Sequence, residues 1–301
     1  MGHEIVGNLA YELLSEEVQV MVDQLLGDTT NDSSDTDLVT SMGKVASWAD
    51  VVRYIHAYHW TTPLHYVDIH DALLPQGCTS TQNCHFEYAQ DCTNDMCAVA
   101  VIQELVSFLS TSTRSTRLTK SITPQEGLKF LIHFIGDIHQ PLHVSRHSDR
   151  GGNDIHIQPP LPIIRTTIDR IQEETYHEDN LHAVWDDAMI DYALHSYHDT
   201  NKNQQLQHFQ QDVASVMTNT SHDVCPIAKA CTTLWAQQSL SLALTKAYLD
   251  EHNQPITSGT TLTLDYYTSR LPIIKQQLAL AASRLAATLE YIYSNQQQQH
   301  K

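Results

Sequence analysis

Two His-x-x-x-Asp pairs constrain this chain more than anything else in it. His133 and Asp137 lie in HFIGDIHQPLH, and His182 and Asp186 lie in NLHAVWD. Residues four apart stack on one face of an α-helix, so each pair aims an imidazole and a carboxylate at one point in space. Both are zinc-ligand types. One such pair also fits an ordinary surface hydrogen bond. Two pairs in apolar company, with His143 close behind the first, point to helices that build a metal cluster between them.

The rest of the composition agrees with a helical fold. Only ten glycines occur in 301 residues, a low share that favours long helices over turn-rich β structure. A hydrophobic fraction of 41% suffices for a sizeable core. No apolar run reaches the roughly 18 residues of a membrane span. The formal charge of −18 argues against a basic groove for nucleic acid, although bound divalent metal would reverse the sign locally.

Six cysteines fall at positions 78, 84, 92, 97, 225 and 231, within polar, loop-like stretches and without any Cys-x-x-Cys spacing. Disulfides are expected rather than thiolate zinc. Asn31-Asp32-Ser33 and Asn219-Thr220-Ser221 are glycosylation sequons, which fit the same oxidising route, secreted or within the secretory and lysosomal system. The opening MGHEIVGNLAYELL lacks a signal peptide's basic start and continuous apolar stretch, so a leader is expected to be absent from this sequence.

Helical spacing runs from Gly2 to Leu26, with Ser15 placed to cap a second helix from Glu16, and resumes over 44–53 with Val45, Trp48 and Val52 inward. Residues 28–37 read as a loop, and a helix is expected over 98–109. Thr123-Pro124-Gln125-Glu126 has the form of a capping box with proline in the first turn, and it starts the helix that carries His133 and Asp137. Pro141 should end that helix and leave His143 just past it.

Gly151-Gly152-Asn153 reads as a turn. Residues 154–158 alternate like a strand before Pro159, Pro160 and Pro162 interrupt them. Residues 180–192 should be helical, and a long amphipathic helix is expected over 265–293, broken or bent at Pro272. No linker divides the chain, so one domain over 1–293 with a polar tail at 294–301 is expected.

Taken in order, ASWAD, LHYVD, HFIGDIHQPLH, GGNDI and NLHAVWD make the chain resemble the S1/P1 nuclease family, from Gly2 to about Tyr291. The resemblance implies a mainly α, single-domain, multi-helix fold of the phospholipase C/P1 nuclease type with a short β-hairpin. It also implies three zinc ions in a cleft. Asp50, His65, His133 and Asp137 would hold one, and His143, His182 and Asp186 another. His3 and a bridging Asp137 would hold the third, together with an N-terminal tryptophan. The family places that tryptophan five residues before the Gly-His histidine. Here only Met1 and Gly2 precede His3, so the start is expected to lack three residues and the third site to be incomplete.

By the same resemblance, Arg53 would stabilise phosphoryl charge beside Asp50, while Tyr66, Asp68 and Asn153 would bind the base. Zinc lowers the pKa of bound water to about 7, which suits hydrolysis at phosphorus. Stacking on Tyr66 would tolerate every base and disfavour duplexes. The expected activity is hydrolysis of single-stranded DNA and RNA to 5'-mononucleotides, with 3'-nucleotides as further substrates, by a monomer with no membrane span.

Two other readings stand beside it. One is a phospholipase C-like zinc phosphodiesterase, whose last ligand is glutamate where this chain has Asp186. The other is a non-catalytic derivative that binds nucleic acid or metal without the N-terminal ligand. His139, His56, His59, His70, His147 and His156 are expected to have no metal role, and Trp48, Trp185 and Trp235 to be packing residues.

Overall fold

A computed structural model describes residues 1–27, 39–71, 78–111, 114, 116–158, 179–197, 201–217 and 229–299. Both sequons, Cys225, the loop expected over 28–37 and the prolines at 159, 160 and 162 lie outside these residues.

The chain opens with α1 (Gly2–Glu12) and α2 (Glu16–Leu26), which Gly27 ends in the left-handed conformation at φ 76°. Such a φ suits a residue without Cβ. Short helices α3 (Ser41–Val45) and α4 (Trp48–Val52) follow, then a 3-10 segment over His56–His65 and strand β1 (Val67–Ile69). The middle of the chain supplies α5 (Tyr88–Asp91), α6 (Ala98–Thr111), α7 (Arg117–Ser121) and α8 (Pro124–Asp137).

A 3-10 turn at Pro141–His143 leads into β2 (Val144–Arg146) and β3 (His156–Ile157), and β4 (Asp179–Asn180) comes next. Helix α9 (Leu181–Ala183) continues through a π-helical turn into α10 (Met189–His195). Last come α11 (Lys202–Met217), α12 (Lys229–Leu242) with its own π-helical turn, and α13 (Leu264–Gln299).

Helix α13 is the spine, packing against α1, α6, α8, α10 and α11. Of the break or bend expected at Pro272, the break does not occur: the helix runs through it from Leu264 to Gln299. Proline removes one hydrogen bond and crowds the preceding turn, but packing along the rest of a long helix can hold it together.

Helix α8 begins as its capping box predicts. Thr123 Oγ1 accepts from the Glu126 N–H at 3.2 Å, and Glu126 Oε2 accepts from the Thr123 N–H at 2.6 Å. Phe130 and Phe134 are fully buried and stack at 5.4 Å between centroids. Each such burial contributes about 1.5–3 kcal/mol. The helix stops before Pro141, and Gln140 takes an extended ψ of 118°.

The expected antiparallel pairing is present as β3 with β4, although the strand is confined to His156–Ile157. A second pairing, β1 with β2, is parallel in the register Val67↔Val144 and has no local signal in the chain. This ladder begins just after His65 and just after His143, so it sets two histidine-bearing turns side by side. Disulfides join Cys78 to Cys84 and Cys92 to Cys97, and Cys231 is also disulfide-bonded. No described helix is long and apolar enough to cross a membrane.

Candidate metal centre

Helix α8 carries His133 and Asp137, both buried, and Asp137 lines a cleft of about 1030 Å³. Asp137 lies at the junction of the surrounding groups. Its Oδ2 is 3.0 Å from His65 Nδ1 and 3.2 Å from His133 Nε2. Its Oδ1 is 3.2 Å from His3 Nε2 and 3.5 Å from His143 Nδ1. Asp50, from α4, stands 3.6 Å from His133 Nε2 and 3.7 Å from His65 Nδ1.

His3 comes from the start of α1 and stacks on His133 at 3.9 Å. Gly136 makes this approach possible, because a Cβ there would fall 2.5 Å from His3 Nδ1. Three sets of potential ligands result: Asp50, His65 and His133; His3, His133 and Asp137; and His143, His182 and Asp186.

The third set is the simplest to read. His143 Nδ1 is 2.8 Å from the His65 carbonyl, and His182 Nδ1 is 2.8 Å from the Gly151 carbonyl. A carbonyl only accepts, so each Nδ1 carries a proton, and in the neutral ring each Nε2 offers a lone pair. Those lone pairs face the two oxygens of Asp186, at 3.4 Å from His143 and 3.3 Å from His182. Histidines fixed in this way by a carbonyl on the second nitrogen are a recurring arrangement around zinc.

Proton counting in the first set also favours a cation. His133 Nδ1 is 2.7 Å from the Ala46 carbonyl, so in the neutral ring Nε2 is bare, and it points at His65 Nδ1 from 3.1 Å. With both rings neutral, His65 Nδ1 meets His133 Nε2, Asp137 and Asp50 with at most one proton to share, while its buried Nε2 has no hydrogen-bond partner. Buried His3 Nδ1 has none either. Converging lone pairs that outnumber protons fit a divalent ion.

The titration of these side chains points the same way. Burial opposes charge on His133, yet Asp137 and Asp50 overcome it and lift its pKa to about 10. His143 likewise rises against burial to about 9 through Asp137 and Asp186. Burial, reinforced by His133, instead lowers His3 and His65. Asp137 and Asp186 resist the effect of burial because neighbouring histidines hold them well below the usual carboxylate range. Asp50 is held at about 2 by His133, again against burial. Three anionic carboxylates therefore call for positive charge, which protons or metal ions can supply.

The remaining expected residues border the same cleft. Arg53 follows Asp50 by one helical turn and lies 3.4 Å from its Oδ1. Tyr66, Asp68 and Asn153 all line the cleft. Burial and the nearby Asp68 carboxylate raise the Tyr66 hydroxyl. Asn153 donates from its side-chain amide to the Arg150 carbonyl at 2.8 Å. Gly151 and Gly152 have φ of 65° and 80°, and a Cβ on Gly151 would meet the Leu142 carbonyl at 2.5 Å. The glycines thus bring the Gly151 carbonyl to His182.

Two residues near this centre escaped the sequence reading. Gln140 Nε2 donates to Asp186 Oδ1 at 2.7 Å, and the only hint was its place within HFIGDIHQPLH. His147 meets Asp68 at 3.0 Å across the extended β1/β2 pair, a partner that local spacing cannot reveal. His139, given no metal role above, is buried and donates from Nδ1 to the Ile135 carbonyl at 2.7 Å. Burial, with Arg284 beside it, lowers its pKa to about 3. Trp185 and Trp235 are buried, and Trp48 packs on Phe130 at 5.0 Å.

Fold and cleft together define a mainly α-helical protein with three His/Asp groups able to hold metal. The chain belongs to the S1/P1 nuclease family, whose sequence model, described as S1/P1 Nuclease, matches residues 1–294. It is similar to Endonuclease 4 of Arabidopsis thaliana, with 34% identity over 305 residues covering 98% of this chain and 88% of the relative. Nuclease S1 of Aspergillus oryzae is 27% identical over 302 residues, covering 98% and 91%. Nuclease P1 of Penicillium citrinum is 27% identical over 307 residues, covering 98% of each chain.

Proposed function

We propose that the protein is a zinc-dependent phosphodiesterase that hydrolyses single-stranded DNA and RNA to 5'-mononucleotides and also dephosphorylates 3'-nucleotides. The carrying observation is the convergence of three His/Asp groups on one cleft, with both oxygens of Asp137 engaged. Family membership and the names of the relatives support nuclease chemistry there.

Asp50, His65, His133 and Asp137 would hold one zinc, His143, His182 and Asp186 a second, and His3 with Asp137 would contribute to a third. Bound zinc supplies a water whose pKa falls to about 7 and offsets phosphate charge. The chain's own groups do the rest. Arg53, held by Asp50, presents a guanidinium to the phosphoryl oxygens. Tyr66 offers a stacking face beside the cluster, Asp68 accepts from a base edge, and Asn153 adds an amide contact. A base engaged in a duplex cannot reach them.

Residues 1–293 act as one domain with 294–301 as a tail, in a monomer that follows the secretory route. The test is elemental analysis alongside hydrolysis of single-stranded DNA, RNA, duplex DNA, a 3'-nucleotide and a phosphatidylcholine. Three zincs with preference for single strands is the expected result. Turnover of lipid alone would favour the phospholipase reading, and metal without turnover would favour a binding module.

A further inference from the structure

The cleft has an aromatic surface that the proposed roles leave unused. Tyr54 lines it, directly after Arg53, and is 75% exposed, the most exposed large hydrophobic side chain among the described residues. Val51 and Ile55, within one turn of it, are 66% and 51% exposed. Scattered apolar side chains on a surface need no explanation, but three exposed within five residues, with Tyr54 among the cleft residues, stand out.

Arg53 adjoins Tyr54 and lines the same cleft as the proposed base site. Its guanidinium carbon is 5.2 Å from the Tyr54 ring centroid, and Nη2 donates to the Tyr54 hydroxyl at 3.3 Å. On its other side, Nη1 faces Asp50 at 3.4 Å. Arg53 and Tyr54 line the same cleft as Tyr66 and Asp68. A cation suited to a phosphate therefore shares one cleft with two tyrosines, one half-buried and one open to solvent.

Resting on the nuclease reading above, we propose that Tyr54, flanked by Val51 and Ile55, is a second nucleobase subsite. It stacks the base across the scissile phosphate from the one on Tyr66. The occupant is one nucleotide of a single strand: an aromatic face takes any base, and the adjacent arginine matches the linking phosphate's charge. Tyr54 then decides how much an oligonucleotide gains over a mononucleotide.

The experiment uses the zinc-loaded full chain and three compounds: a dinucleoside monophosphate and two versions in which a tetrahydrofuran residue replaces one or the other nucleoside. In the wild-type chain, removing either base should lower kcat/KM about fivefold or more, the scale of base–aromatic stacking. Tyr54→Ala should erase sensitivity to one base only, Tyr66→Ala to the other, and Tyr54→Phe should keep both. Calorimetric affinities for the same compounds in the presence of chelator should follow the same pattern.

Because Tyr54 is so exposed, the melting temperature of Tyr54→Ala should match that of the wild-type chain. Equal hydrolysis of all three compounds by the wild-type chain would overturn this subsite while leaving the nuclease reading intact. So would a Tyr54→Ala variant still sensitive to both bases. Hydrolysis of none would overturn the nuclease reading and the subsite with it.

Discussion

Asp137 and His3 meet at 3.2 Å, where α8 packs against α1. Because Oδ1 is turned to His3, Oδ2 is left for His65 and His133. One carboxylate therefore serves ligands from three separate stretches of chain.

Asp137→Ala should accordingly remove more than one metal equivalent and reduce hydrolysis to background. Elemental analysis of the purified variant decides this. A full metal complement would contradict the shared role.

Gly136→Ala tests the closeness of α1 and α8. The added methyl would sit 2.5 Å from His3 Nδ1, so the ring must move off its stack on His133. Overpacking of this kind costs about 1–3 kcal/mol. A lower melting temperature with weakened metal binding is expected, and competition with a fluorescent zinc chelator measures the latter.

Gln140→Leu should weaken the His143/His182/Asp186 site without removing a ligand. Its amide fixes Asp186 Oδ1 at 2.7 Å. Loss of such a supporting hydrogen bond typically costs about 10–100-fold in metal affinity. Zinc titration by calorimetry should show one weakened class of site; unchanged isotherms would count against the assignment.

Acid should release metal. His133 and His143, with pKa values raised to about 10 and about 9, are protonated at neutral pH unless a metal takes the proton's place. Binding must therefore displace protons, and apparent affinity falls as pH falls. Chelator-treated protein should show the opposite trend. A histidine whose pKa is raised on folding contributes stability that is complete below about 6.5 and is lost as pH rises through about 9 to 10. Thermal unfolding from pH 6 to 10, with and without chelator, should give slopes of opposite sign.

Thr123→Ala removes a cap from the helix that carries the cluster. The expected cost is about 1 kcal/mol, seen as a lower denaturant midpoint at unchanged slope. Metal stoichiometry should stay the same, because the cap lies at the opposite end of α8 from Asp137.

What the sequence made legible follows from which interactions are local. The Thr123–Glu126 box, the stop before Pro141 and the His133/Asp137 row are set within a turn or two of helix, so spacing alone reveals them. The order of the five motifs added the grouping of ligands from distant segments. The parallel β1/β2 pair joins residues 77 positions apart, and nothing near Val67 or Val144 announces its partner. His147 was missed for the same reason, since Asp68 becomes its neighbour only through that pairing. At Pro272 the local rule allowed a break or a bend, and packing along α13 accompanies a helix that is not broken there.

The position of α13 in the chain has a consequence for biosynthesis. His3 through Asp186 leave the ribosome well before Leu264–Gln299, yet α1 and α8 both rest on that last helix. A nascent chain therefore displays all eight proposed ligands before the surface that aligns two of their helices exists. Full alignment of the cluster waits for Leu264–Gln299 to emerge, and a ribosome-stalled chain ending before Leu264 would carry the ligands without the helix that α1 and α8 pack on.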